Sequence, residues 1–315
     1  MDTVPWVEKY RPTDFDHIVL DPINQQLFRN ILDKKYFPNL LFYGPPGTGK
    51  TTTIINLINE YQRRHYKTVN KNLVIHLNAS DERGIDIIRN HIYQFIKTKN
   101  MFDIGMKFVI LDEVDYMTKN AQQALKYLLQ TCTQNVRFCL ICNYISKIEE
   151  SLQNEFICIR FNQLPKRDIS QFIKRISDNE GLNLSDASID TIQTMFSSDI
   201  RSMINFIQLN SSVGGGDDWD KKIINKQKMA DLHQVLLDNS VSLEEAKYYI
   251  HEISVQYNID KKSILLKYIH YLIENEDYTP EILDMIGEIL HNGDVKTETF
   301  LDFFVCEIRR EFFAH

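Results

Sequence analysis

The clearest chemistry in this chain lies in an octapeptide closed by a lysine and a threonine, Gly44-Pro45-Pro46-Gly47-Thr48-Gly49-Lys50-Thr51. Its GxxxxGK[ST] spacing lets backbone N–H groups face phosphate oxygens, because glycine accepts the turns this requires. Lys50 supplies a cation for the β and γ phosphates of a nucleoside triphosphate, and Thr51 a hydroxyl ligand for Mg²⁺. An apolar run precedes the loop and a helical pattern follows it, so a helix N-terminus adds its positive dipole end at the same place.

A second set lies at Lys107-Phe108-Val109-Ile110-Leu111-Asp112-Glu113-Val114-Asp115, which reads as a buried strand ending in two acids. Burying adjacent carboxylates without a cation is costly, and a magnesium nucleotide removes that cost. Asp112 is the expected Mg²⁺ partner, direct or through water. Glu113 is placed to orient and deprotonate an attacking water. Asn143 ends another apolar run, Phe138 to Cys142, from which its amide could reach the γ phosphate on the same sheet edge. Asparagine also ends strands for turn reasons alone.

These groups need a sheet to hold them. Five short apolar runs read as strands of a buried, largely parallel sheet: Leu40 to Tyr43, Leu73 to Leu77, Phe108 to Leu111, Phe138 to Cys142 and Ile157 to Phe161. Between them, Ile54, Ile55, Leu57, Ile58 and Tyr61, and then Ile85, Ile88, Ile92, Phe95 and Ile96, recur at helix spacing, as crossovers between parallel strands must. From Lys166 the strand signal stops and helical patterns run to about Leu209. Ser211 to Asp218 has the composition of a flexible linker. Beyond it, Leu232 to Leu237, Ala246 to Ile253, Ile264 to Ile273 and Ile282 to Leu290 read as four amphipathic helices, with Phe300 to Phe313 as a fifth. The expected division is a nucleotide-binding domain over 1–164, a small helical domain over 165–211, a linker over 212–220 and an all-helical domain over 221–315.

Composition narrows the classes. A chain of 315 residues with 43% hydrophobic and 25% charged residues builds two or three folded units rather than a disordered chain. A formal net charge of -7 excludes a protein that coats nucleic acid by bulk attraction, so any DNA contact is local. The start, Met1-Asp2-Thr3-Val4-Pro5-Trp6, lacks a secretory signal, and no run of eighteen apolar residues offers a membrane span. Cys139 and Cys142 have no second CxxC to complete a zinc site and read as buried strand thiols in a reducing compartment.

With these motifs in place, the chain resembles the AAA+ sliding-clamp loaders, and over roughly residues 4 to 210 the small subunits of replication factor C. The resemblance implies an α/β P-loop NTPase (AAA+) domain with a parallel sheet, a small helical lid domain and an all-α C-terminal collar domain. Pro5-Trp6-Val7-Glu8-Lys9-Tyr10-Arg11-Pro12 is similar to that family's amino-terminal box, which implies that Val7 and Arg11 lie near the adenine and phosphates of ATP. Leu77 to Arg89 is similar to a box near DNA, which implies backbone contacts from Arg83 and Arg89. By their own positions, both can reach outward to phosphates or stand as solvated surface cations. Asn143-Tyr144-Ile145-Ser146-Lys147 resembles the sensor segment, implying Asn143 as γ-phosphate sensor and Lys147 as a further DNA contact. Asp199-Ile200-Arg201-Ser202-Met203-Ile204-Asn205 resembles the second sensor, implying that Arg201 swings onto the nucleotide as the lid closes.

One segment departs from the family pattern. Where the resemblance calls for Ser-Arg-Cys, this chain has Asn154-Glu155-Phe156, so the arginine expected to reach a neighbouring subunit's ATP is a glutamate. A trans arginine contributes ~10³ to 10⁵ in rate in related phosphoryl-transfer enzymes, whereas a carboxylate facing triphosphate repels it. The expectation is a subunit that hydrolyses ATP in its own site without activating the neighbour's. Arg160, or a residue outside this segment, is the alternative bearer of the role.

The resemblance further implies Mg²⁺-dependent ATP hydrolysis within a hetero-oligomer, a pentamer of clamp-loader subunits, that opens a sliding clamp and loads it on primer-template DNA during replication. A nucleic-acid remodelling ATPase and an ATP-binding scaffold subunit with little hydrolysis of its own are the competing expectations. The expected location is soluble and intracellular, in the nucleus or at a site of DNA replication, with no basic run that fixes the compartment.

Overall fold

Leu40, Leu41 and Phe42 are wholly buried because they form an internal strand of a sheet covered on both faces. The computed structural model describes residues 4–80, 85–98, 105–131, 135–211, 224, 226–257, 259–275, 283, 284, 286, 287 and 297–313. The five strands are β1 (Leu40–Tyr43), β2 (Val74–Asn78), β3 (Lys107–Asp112), β4 (Val136–Cys142) and β5 (Ile157–Arg160). They lie in the order β2-β3-β4-β1-β5, with every pair parallel.

Alternation along each strand divides its side chains between two cores. Phe108 and Ile110 of β3 pack on one side with Phe28, Ile31 and Leu32 of α2 (Pro22–Asp33) and Ile54, Leu57 and Tyr61 of α3 (Lys50–Tyr66). Val109 and Leu111 face the other side, with Ile92 of α4 (Ile85–Lys97) and Leu125, Leu128 and Leu129 of α5 (Lys119–Thr131). Both faces of the central strands β1, β3 and β4 are thus apolar, which is why these read as unbroken hydrophobic runs, whereas β2 and β5, at the edges of the sheet, are largely half-buried or exposed rather than buried as expected. Removing one of the buried aromatic rings, such as Phe108 or Phe28, would cost about 3–5 kcal/mol.

The strand ends differ from the sequence reading by one or two residues. Leu73 lies in a 3-10 turn, Lys71–Leu73, held by the Asn70 side chain, so β2 starts at Val74. β4 extends back to Val136, and β3 to Lys107, where the pairing of Lys107 with Val136 continues the ladder through a charged residue. Phe161 is buried but falls just past β5.

After β5 come α7 (Lys166–Glu180), α8 (Asp186–Phe196) and α9 (Ile200–Ser211). They bury Ile169, Ile173, Ile176, Ile189, Ile192, Met203, Ile204 and Ile207. Two shorter helices belong to the same unit, α1 (Trp6–Lys9) and α6 (Glu150–Gln153). The chain divides into compact units at Met1–Gly215 and Gly216–His315.

The second unit is helical: α10 (Lys226–Leu237), α11 (Leu243–Tyr257), α12 (Lys261–Asn275) and α13 (Thr297–Phe313). Its core contains Leu232, Leu236, Ile250, Ile253, Leu265, Tyr268, Phe304 and Ile308. The buried Tyr268 hydroxyl meets His233 Nδ1 at 2.7 Å, so the one polar atom on that ring is satisfied. Most of the expected helix over 282–290, and the expected linker over 212–220, lie outside the described residues. Among the described residues no helix is long and apolar enough to cross a membrane.

Candidate nucleotide site

The phosphate loop leaves the carboxyl end of β1 and enters α3 at Lys50. Gly44 has φ +142°, and a Cβ there would strike the Phe161 carbonyl, so only glycine lets the loop begin against the chain past β5. Lys50 is buried and folds back into the loop, donating to the carbonyls of Gly44 at 2.8 Å and Pro45 at 2.7 Å. It also donates to Asn143 Oδ1 at 3.1 Å. Burial lowers the Lys50 ammonium below the usual lysine range, with the Asp112 carboxylate acting against it. Thr48 Oγ1 donates to the Pro45 carbonyl at 2.9 Å and braces the turn.

Asn143 stands beside the loop because β4 neighbours β1 in the sheet. With Tyr43 in register with Cys142, the next residues of the two strands, Gly44 and Asn143, emerge side by side.

Thr51 Oγ1 donates to Asp112 Oδ2 at 2.8 Å. His76 Nε2, on β2, stands 3.8 Å from the same oxygen. Burial alone would push the Asp112 carboxyl up. Hydrogen bonding from His76, Thr51 and the Glu113 amide outweighs burial and leaves the group below its ordinary value, as a carboxylate. Glu113 adopts φ +56° and ψ +37°, a left-handed conformation that costs a non-glycine residue about 1–3 kcal/mol. That turn ends β3 and separates the direction of Glu113 from that of Asp112.

From the sequence, Asp112 and Glu113 are the acids expected to be buried. Both are half-buried, because they sit at the open end of the sheet, and Asp115 is the buried one. Neither Asp115 oxygen has a hydrogen-bond partner among the described residues, and its charge acts on Lys50 and Cys142. Cys139 and Cys142 are free and buried. Burial, with Asp115 adding to it, pushes the Cys142 thiol up to about 12.

A single cavity of about 270 Å³ is lined by Val7, Arg11, Pro46, Gly47, Thr48, Gly49, Lys50, Thr51, Asp112, Glu113, Asn143 and Arg201. Gly44 and Pro45 stand behind it, holding Lys50 through their carbonyls. Arg11 reaches α3, its Nε donating to Thr52 Oγ1 at 3.2 Å, and also pairs with Glu8. The segment carrying Val7 and Arg11 is tied to the three-helix region as well. Lys9 Nζ lies 2.9 Å from Glu180, Tyr10 Oη donates to the same carboxylate, and the Trp6 amide donates to Gln208 Oε1 at 3.0 Å. The short helix α1, with Tyr10 and Arg11 just past it, therefore holds both walls of the cavity, a role its sequence did not disclose.

Of the residues expected at DNA, Lys147 does not line this cavity. Arg83 falls outside the described residues, and so does the side chain of Arg89, whose backbone belongs to α4. Lys147 is exposed at the end of a 3-10 turn, Ile145–Lys147, with its Nζ 5.2 Å from each of the Tyr116 and Tyr144 ring centroids. That turn is fixed from beneath by Gln122, a buried side chain the sequence reading missed. Gln122 Nε2 donates to the carbonyls of Met117 at 3.3 Å and Lys147 at 3.0 Å, and Oε1 accepts from the Glu149 amide at 2.8 Å. Glu155 is exposed outside the cavity and accepts from Gln130 Nε2 at 3.4 Å.

The donor set fits a nucleoside triphosphate with a divalent cation. A hydroxyl and a carboxylate 2.8 Å apart offer the hard oxygens Mg²⁺ prefers. The carbonyl partners of Lys50 are of the kind an ammonium exchanges readily for phosphate oxygens.

Fold and loop together define a P-loop nucleotide-binding ATPase domain of the AAA class. Residues 40–163 match the family described as ATPase family associated with various cellular activities (AAA). The chain belongs to the replication factor C small-subunit family. It is 34% identical over 295 residues to the replication factor C small subunit of Sulfolobus acidocaldarius, covering 91% of this chain and 90% of that protein. It is 42% identical over 210 residues to replication factor C small subunit 2 of Pyrobaculum islandicum, covering 66% of this chain but 64% of that protein's length. It is 38% identical over 213 residues to human replication factor C subunit 5, covering 67% of this chain and 62% of that one. Among solved structures, the RuvB Holliday junction branch migration motor of Thermotoga maritima aligns with a TM-score of 0.55 at 14% identity. That alignment covers 86% of this chain and 93% of RuvB, and it supports the fold.

Proposed function

We propose that this chain is a Mg²⁺-dependent ATPase subunit of a clamp loader, working with sister subunits to open a sliding clamp and place it on primer-template DNA. The observation that carries the reading is the convergence of Lys50, Thr51, Asp112, Glu113, Asn143 and Arg201 on one cavity at the carboxyl end of a parallel sheet. Two acids, an amide and two cations from four separate elements have no structural need to meet there; a triphosphate gives them one.

In this reading Mg²⁺ neutralises phosphate charge when bound, held by Thr51 and Asp112. The loop amides from Gly47 to Thr51 and the Lys50 ammonium grip phosphate oxygens. Asn143, already on Lys50, shifts its amide toward the γ phosphate as Lys50 turns to the nucleotide. Glu113 holds a water and takes its proton. Val7 and Arg11 close the cavity on the adenine side, and Arg201 approaches from α9. The nucleotide-binding domain is assigned to 1–164, the lid to 165–211 and an oligomerising collar to 221–315, within a pentameric hetero-oligomer at a site of DNA replication. Arg83, Arg89 and Lys147 are assigned to the DNA backbone. Glu155, exposed where the family carries an arginine, leaves a neighbour's site without its activating cation.

Glu113→Gln tests the catalytic assignment in the assembled complex with clamp and primer-template DNA. ATP binding should persist while turnover falls by about 10²-fold or more, as expected for a lost general base. Unchanged turnover would defeat the assignment. Turnover that ignores clamp and DNA would point instead to another nucleic-acid ATPase, and an ATP-binding complex without turnover in the unmutated protein to a scaffold.

A further inference from the structure

The lid does not merely lie near the phosphate loop; it rests on it at one point. A Cβ built on Gly47 would fall onto the carboxylate of Asp199 and within 2.9 Å of the Asp199 Cα. Gly47 also has φ +72°, so its lack of a side chain serves both the turn and this contact.

Asp199 is held rigidly where it touches. Its Oδ1 accepts from the Ser202 amide at 3.0 Å and its Oδ2 from Ser202 Oγ at 2.8 Å, closing the first turn of α9. The preceding residue, Ser198, is buried, and its Oγ accepts from the Leu164 amide at 2.9 Å in the connection between β5 and α7. Residues 198 and 199 thus join the hinge of the lid, the phosphate loop and the start of α9. Arg201 is two residues further along, on the cavity wall.

We propose that Asp199 is a positioning residue: it seats α9 on Gly47 and so sets where Arg201 stands over the nucleotide. The inference rests on the nucleotide-binding reading and adds the contact through which loop and lid communicate. A loop that moves when phosphates enter displaces the residue it supports, and α9 and Arg201 turn with it.

The test uses the full chain, with MgATP and MgADP affinities measured by competition against a fluorescent adenine nucleotide. Asp199→Asn keeps both the cap and the reach to Gly47 and should behave as the unmutated chain. Asp199→Ser keeps a capping oxygen but withdraws the carboxylate from Gly47. It should reduce the preference for ATP over ADP about tenfold, the scale of coupling between touching groups. In an Arg201→Ala background the same change should have no further effect, which a general loss of stability would not reproduce. Asp199→Thr replaces the serine variant if that one fails to fold.

Gly47→Ala completes the design. Its backbone strain is the same whichever residue stands at 199, so a smaller loss of ATP affinity in the Asp199→Ser background isolates the contact. Equal losses in both backgrounds, or an effect of Asp199→Ser that persists without Arg201, overturn the proposal. If the unmutated chain binds no adenine nucleotide, the nucleotide reading itself fails; if it binds and the variants match it, only the seat fails.

Discussion

Thr51 Oγ1 and Asp112 Oδ2 are joined by a 2.8 Å hydrogen bond that links the first turn of α3 to the end of β3. The two oxygens stand at the spacing of neighbouring ligands on one cation. Thr51→Val keeps the shape and removes one of them. It should weaken nucleotide binding about 10–100-fold in the presence of Mg²⁺ and leave binding in EDTA unchanged. Titrating nucleotide affinity against Mg²⁺ concentration checks this.

Gln122 is the sole side chain among the described residues that bonds both the Lys147 carbonyl and the Glu149 amide. Gln122→Ala strands those groups and the Met117 carbonyl in a part-buried place. Urea unfolding should show a loss of about 1–3 kcal/mol. DNA stimulation of ATPase should fall by more than that loss of folded protein accounts for, because the turn carrying Lys147 is no longer fixed.

Glu155→Arg should raise ATP turnover of the reconstituted ring and leave this chain's own nucleotide affinity unaltered. The gain approaches ~10³-fold at the neighbouring site if the guanidinium reaches it. Single-turnover hydrolysis in rings where only that neighbour retains a working phosphate loop reads the effect directly, and an unaltered rate counts against the assignment.

Tyr10 gives a stability dependence at high pH. Burial first, and then its hydrogen bond to Glu180, push the phenol up to about 12 from an ordinary value of 10.0. The fold therefore favours the protonated ring, and that contribution is complete below pH 10 and lost as pH rises through 12. Tyr61 is also pushed up to about 12 by burial, so the informative quantity is the difference between the unmutated chain and Tyr10→Phe. That difference should shrink between pH 10 and pH 12 in thermal unfolding.

The central strands β1, β3 and β4 were legible because they are buried on both faces. Nothing but apolar residues suits Leu40 to Phe42 or Phe108 to Leu111, and such runs stand out against amphipathic helices. The phosphate loop was legible because its chemistry is local in the chain. Gln122 was not: it sits beside Gln123 in a helix where either would pass for a solvated face, and only the folded turn at Lys147 distinguishes them. Nor did any spacing connect Gly47 with Asp199, or Lys9 and Tyr10 with Glu180, since these meetings depend on how the three-helix region folds back. Asp115 read as one more acid after the strand, and its burial follows from the left-handed turn at Glu113, which no periodicity announces.

The Asn143 amide that touches Lys50 begins a segment only four residues from Lys147. News of what occupies the interior therefore has a very short way to travel before it reaches the outer surface, and little slack in which to be lost. Gln122 anchors the far end of that segment through the Lys147 carbonyl and the Glu149 amide.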